Sequence, residues 1–247
     1  MSLFRNYRNQ TRTRIKNNRC MATTLRWFKI DPFSNKDLKR LSDGLLLEQY
    51  NDERGWGFQL VEVRKDYIAG RYIVKEKHVE SFRNPKGDIQ TIEYLTFRET
   101  EFRVQNLLPH IEILSPTRGV TEMFNHFGNA LNFEVSIVAL AIEPIQWVKH
   151  LKKDFELVSI QRAVISDIEL SPNVAATVTI AGTEDVQKYF KEIVKKRKFI
   201  LDSALISFMD NGVEIKIEAS RSGRLKVITS NNDFPNTFFR ACVPKLI

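Results

Sequence analysis

The 247-residue chain is poor in several residue types, and each shortage excludes something. Cysteine occurs only twice, at Cys20 and Cys242. That rules out a disulfide scaffold and a cysteine-rich zinc module, and leaves both residues as expected free thiols. The four histidines, His78, His110, His126 and His150, form no H-E-x-x-H, H-x-H or Cys/His array. His126, set among helix residues, is read as structural or exposed. There is no Walker A loop, no G-x-G-x-x-G and no G-x-S-x-G elbow. Gly55-Trp56-Gly57 precedes a strand but no helix follows to cradle a phosphate. No apolar run approaches the roughly 20 residues of a membrane span. The longest, Val135 to Ile142, suits a buried strand. No cofactor is expected, and no membrane partner.

What is present suits a globular protein, with 43% hydrophobic and 28% charged residues. The charge is uneven. Lys plus Arg number 38 and Asp plus Glu 30, a net +8. Residues 1–20 hold Arg5, Arg8, Arg12, Arg14, Lys16 and Arg19 and no acid, which is +6. The other 227 residues carry 32 bases and 30 acids, or +2. Three readings fit this arm: a segment that neutralises nucleic-acid phosphates, a solvated tail, or a leader upstream of a start at Met21. The arm is also similar to an organelle transit peptide, although serine is scarce in it.

Thr24–Ile30 reads as a strand. Ser34 and Asp37 form a capping-box variant before Leu38, Leu41 and Leu45 at helical spacing. Strands are expected over 58–63, 67–77, 89–97 and 101–105, with a turn at Asn84–Asp88 and a short edge strand at Ile111–Leu114. Val120, Met123, Phe124, Phe127 and Leu131 define one helix face. The second half reads as a strand over Phe133–Ile142, a helix opened by Pro144, and strands at 157–170 and 174–180. A helix capped by Thr183 follows, then strands at 199–209, 213–219 and 225–229 and a closing helix at 232–241. The expectation is an α+β fold. Two antiparallel-sheet halves are joined by a helix near 118–131, with domains at 22–131 and 132–247 after a basic arm at 1–21. No linker separates the halves, so they pack closely or share a sheet.

The sharpest catalytic candidate is Asp202, Glu214 and Lys216. An acid on one strand and Glu-x-Lys on the next resembles the metal-dependent nuclease core of restriction-type enzymes, over about 15 residues. That resemblance implies both carboxylates on one divalent metal, with the lysine beside the attacking water. Asn211-Gly212 dictates otherwise. As a two-residue hairpin turn it sets Asp210 opposite Val213, Glu214 opposite Met209 and Asp202 opposite Arg221. The two carboxylates are then roughly 17–23 Å apart along the strands. Asp167 and Glu169 read as a solvent-facing stripe.

The remaining candidates are cationic. Lys188, Lys191 and Lys195 form a helix stripe extended by Lys196, Arg197 and Lys198, and Arg221, Arg224 and Lys226 flank the Ser222-Gly223 turn. Together with the arm they predict a non-catalytic, cytoplasmic protein that binds DNA or RNA through the phosphate backbone, without reading sequence. A divalent-metal nuclease and a protein-partner subunit of a larger complex are the alternatives.

Overall fold

The computed structural model describes residues 21–116, 120–194, 198–229 and 236–247. Strands β1 (Met21–Asp31), β2 (Trp56–Val63), β3 (Tyr67–Arg83), β4 (Ile89–Gln105), β5 (Ile111–Leu114) and β6 (Ser136–Ala139) occupy the first part of the chain. Strands β7 (Glu156–Ser171), β8 (Val174–Ala181), β9 (Ile200–Asp210), β10 (Val213–Ser220) and β11 (Arg224–Thr229) occupy the second. All belong to one antiparallel sheet, ordered β2-β3-β4-β5-β1-β11-β10-β9-β7-β8, with β6 also on β1. The two halves thus share one sheet, and β1 is the seam. β5 is not an edge strand, since it lies between β4 and β1.

The helices are α1 (Asn35–Leu47), α2 (Val120–Ala130), α3 (Pro144–Asp154), α4 (Phe190–Val194) and α5 (Asn236–Cys242). The α1 capping box forms as expected: Asp37 N–H donates to Ser34 Oγ, and Ser34 N–H donates to the Asp37 carboxylate. The cap before α4 differs. Asp185 accepts from Gln187 N–H and opens a 3-10 turn, Val186–Tyr189, in place of the expected Thr183-capped helix. Asp185 also accepts from Ile160 N–H of β7, which ties the turn to the sheet.

Alternation along β1 explains the architecture. Phe28 and Ile30 enter a core with Leu38, Leu41 and Leu45 of α1 and Met123 and Phe127 of α2. Leu25 and Trp27 point to the opposite face, into a core with Trp147 and Leu151 of α3 and Phe239 of α5. The two halves are therefore covered on opposite faces. Each keeps one open face: the β2–β5 half on the side of Trp27, the β7–β11 half on the side of Phe28.

Two close contacts fix the seam. Trp27 Nε1 donates to Glu112 Oε2 at 2.8 Å, and Arg240 of α5 holds the other oxygen of this buried carboxylate. Gly223, at φ 74° in the β10–β11 turn, lies under Leu140, whose carbonyl oxygen would sit 1.9 Å from an added Cβ. Ile142 N–H donates to Arg221 O at 3.1 Å beside it.

Candidate nucleic-acid interface

The β9–β10 hairpin has the register its turn demands. Asp210 pairs with Val213, Glu214 with Met209 and Ser220 with Ser203, and Arg221 N–H donates to Asp202 O at 2.8 Å. Asn211 and Gly212 both adopt positive φ, as a primed turn requires. Asp202 and Glu214 therefore stand at opposite ends of the hairpin. Lys216 is 3.3 Å from Glu214, on the polar face of β10. Among the described residues no group of three His, Cys, Asp or Glu side chains is placed to hold a metal ion. Cys242 is a buried free thiol, and burial pushes its pKa up to about 11.

The cations named from sequence divide into three sets. Arg5, Arg8, Arg12, Arg14, Lys16, Arg19, Lys195, Lys196 and Arg197 lie outside the described residues, as does the side chain of Lys191. Lys188 and Arg221 are neutralised locally: Lys188 bonds Glu184 one turn earlier, and Arg221 Nε lies 2.9 Å from Glu143 Oε1. Lys198 and Arg224 are exposed, and no acid pairs with either among the described residues. The structure does not gather these groups on one side. The segment bearing Lys188 packs through Val186 and Phe190 into the core that holds Leu225 and Val227. Arg224 alternates with Leu225 and so faces the other way.

On that other face the structure builds a cationic row that the sequence reading did not assemble. Arg26 of β1 pairs directly with Arg224 of β11, and Lys226 sits two residues along β11, between Thr24 and Glu218. Two like charges directly opposite each other destabilise an antiparallel pair. Among the described residues neither arginine has a carboxylate partner. Arg26 instead rests over the Phe28 ring at 5.1 Å, and its buried Nε–H has no acceptor. The carboxylate nearest the row in register, Glu218, already binds Arg162 at 2.9 Å. Beside the row, Ser203, Ser220 and Ser222 join Arg224, Lys226 and Glu218 around a cavity of about 250 Å³. Two cations and three hydroxyls make this cavity an anion-accepting surface, with Glu218 as its one acid.

The open face of the other half shows the contrast. A cavity of about 410 Å³ there is lined by Arg71, Arg103 and Arg240 with Glu101 and Glu112. Each of these arginines is engaged: Arg71 with Glu99 at 2.9 Å, Arg103 stacked 3.4 Å over Tyr67, and Arg240 with Glu112. His126 is structural. It stacks on Trp56 at 3.9 Å and places Nδ1 3.1 Å from Glu48 Oε2, which joins α2 to the end of α1. Tyr72 is buried beside it, and burial raises its hydroxyl pKa, with Glu122 adding to the rise.

No helix among the described residues is long and apolar enough to cross a membrane. No protein-family model matches the chain, and no curated protein matches it.

Proposed function

We propose that the protein is a non-catalytic nucleic-acid-binding protein that holds a phosphate backbone on the β1–β11 seam. One observation carries this reading: Arg26 and Arg224 oppose each other with no carboxylate partner among the described residues, and Lys226 stands alongside, opposite a Glu218 whose carboxylate binds Arg162. Such a row costs folding free energy unless an anion shares it. Phosphate oxygens accept from guanidinium, ammonium and serine hydroxyl alike. Among the described residues the row offers no reading helix and no base-stacking aromatic, so binding is to backbone rather than sequence. The acid-free segment 1–20 supplies further cations to the same polymer.

The test is binding of labelled single- and double-stranded DNA and RNA to the full chain against salt. Affinity should fall linearly on a log–log plot. Replacing both Arg26 and Arg224 with Ala should weaken binding to all sequences alike and reduce the slope by about 2. No binding at about 50 mM salt, or a flat slope, rejects the reading.

A second reading, a subunit of a protein complex, is favoured by apolar side chains exposed on the outer part of β3 and β4. The metal-nuclease alternative gains nothing from the hairpin, whose register holds its two carboxylates apart.

A further inference from the structure

The outer parts of β3 and β4 form a ribbon that projects past the rest of the sheet. β2 leaves β3 at Val74, and β5 leaves β4 at Glu101. From Glu76↔Thr96 to Arg83↔Ile89 the two strands pair with each other and, among the described residues, with no other strand. The free length is about 25 Å. A two-stranded ribbon is marginal in water by itself. On this one Val79, Phe82, Ile89, Ile92 and Leu95 are each 44–70% exposed.

Its two edges differ in chemistry. The β3 edge, Glu76–Arg83, carries Glu76, Lys77, Glu80 and Arg83. Charge of this kind is how natural sheets protect an edge from pairing. The β4 edge, Ile89–Thr96, carries one charge, Glu93, and Lys77 Nζ neutralises it at 2.7 Å. A long, nearly uncharged free edge is a template for another strand.

We propose that a second copy of this chain pairs antiparallel along the β4 edge, so that two ribbons make a four-stranded sheet about a two-fold axis at Ile92. The side chains select this register. An axis at Ile92 sets Ile89 opposite Leu95, Gln90 opposite Tyr94 and Thr91 opposite Glu93. An axis at Glu93 sets two carboxylates face to face, which is repulsive. An axis at Thr91 or at Tyr94 sets Glu93 against Ile89 or Leu95. Any axis through a residue also matches outward-facing N–H and C=O groups of one strand to those of the other. The strand is thus complementary to itself, the condition for an isologous contact. Growth stops at two copies, because both outer edges of the new sheet are the charged β3 strands.

The test uses the full chain. Sedimentation or light scattering should give the mass of two chains for the native protein. Ile92→Lys should give one chain with an unchanged circular dichroism spectrum, since Ile92 is half exposed. An independent arm is cross-linking in a Cys20→Ser background. Paired Cβ atoms across antiparallel strands come close to disulfide range. Ile92→Cys should therefore form an interchain disulfide under mild oxidation, and Val79→Cys on β3 should not. A single chain in the native protein, or two chains that persist in Ile92→Lys, overturns the proposal. Equal cross-linking from both cysteine variants overturns it too, and no cross-link from Ile92→Cys overturns the axis.

Discussion

The first half of the sheet covers its core with α1 and α2 on one face. The second half covers its own with α3, α5 and the Val186–Val194 segment on the other face. The two are joined through β1, and Arg240 of α5 on Glu112 of β5 ties them a second time. The successive β1 residues Trp27 and Phe28 enter different cores, and the β1 backbone pairs with β5 and β6 of one half and β11 of the other. The lesson is that a single strand with ordinary alternation can serve two cores when its neighbours are covered on opposite sides. The halves also treat cations differently. Those on the open face of the first half are paired or stacked, whereas at the seam Arg26 has only the Phe28 ring and Arg224 has no carboxylate partner among the described residues.

The largest effect should come from the two adjacent aromatics. Trp27→Ala and Phe28→Ala should each cost about 3–5 kcal/mol. Trp27→Ala should cost more, because it also removes a donor from the buried Glu112 carboxylate. If β1 couples the halves, each variant shifts one unfolding transition seen alike by near- and far-ultraviolet circular dichroism. Two separated transitions would show that the cores unfold independently.

Gly223→Ala comes next. Positive φ and the Leu140 carbonyl both oppose a Cβ there, so a loss of about 1–3 kcal/mol is expected in chemical denaturation. The same change shifts the turn that carries Arg224, so weakened polyanion binding should accompany it.

Acid sharpens the comparison, because each half holds one histidine below its usual pKa. Burial is the main cause for both His110 and His150, with nearby Asp31 and Asp154 opposing it in part. The unfolded chain takes up these protons first as pH falls. The stability they support is thus present above the usual value of 6.5 and lost as pH falls through the lower folded-state values. Melting temperature should drop on acidification below that value, and His150→Gln should remove part of the drop. A profile unchanged in that variant would mean that His150 does not contribute.

The smallest effect on stability should come from the seam itself. Arg26→Met relieves a like-charge pair and gives up the guanidinium's place over Phe28, two opposing effects, so stability should change by less than about 1 kcal/mol. A clear loss would mean that the guanidinium has a partner besides the Phe28 ring.

Local signals in the sequence were legible, and long-range pairing was not. Asn211-Gly212 dictated the β9–β10 register, Ser34 with Asp37 marked the start of α1, and the spacing of Met123 and Phe127 gave the buried face of α2. β3 runs past Lys77 to Arg83, and β4 joins the two expected strands across Arg98–Thr100, because charges such as Glu80, Arg83, Arg98 and Glu99 break the apolar alternation. Nothing local brings Arg26 opposite Arg224, since β1 and β11 stand near opposite ends of the chain. Arg224 was singled out for its turn. Arg26 was hidden, because β1 reads as a core strand whatever its neighbour. Trp147 was missed for a similar reason: its partner Trp27, stacked at 5.8 Å, comes from across the sheet.

The most direct measurement is the salt dependence of single-stranded DNA binding by the full chain, native against the Arg26→Ala/Arg224→Ala variant, with an arm variant in which the six cations of residues 1–20 become Ser. The seam variant should lose affinity and about 2 from the log–log slope, beyond what the arm variant loses. A seam variant with native affinity and native slope would contradict the assignment and leave Arg26 and Arg224 without a role.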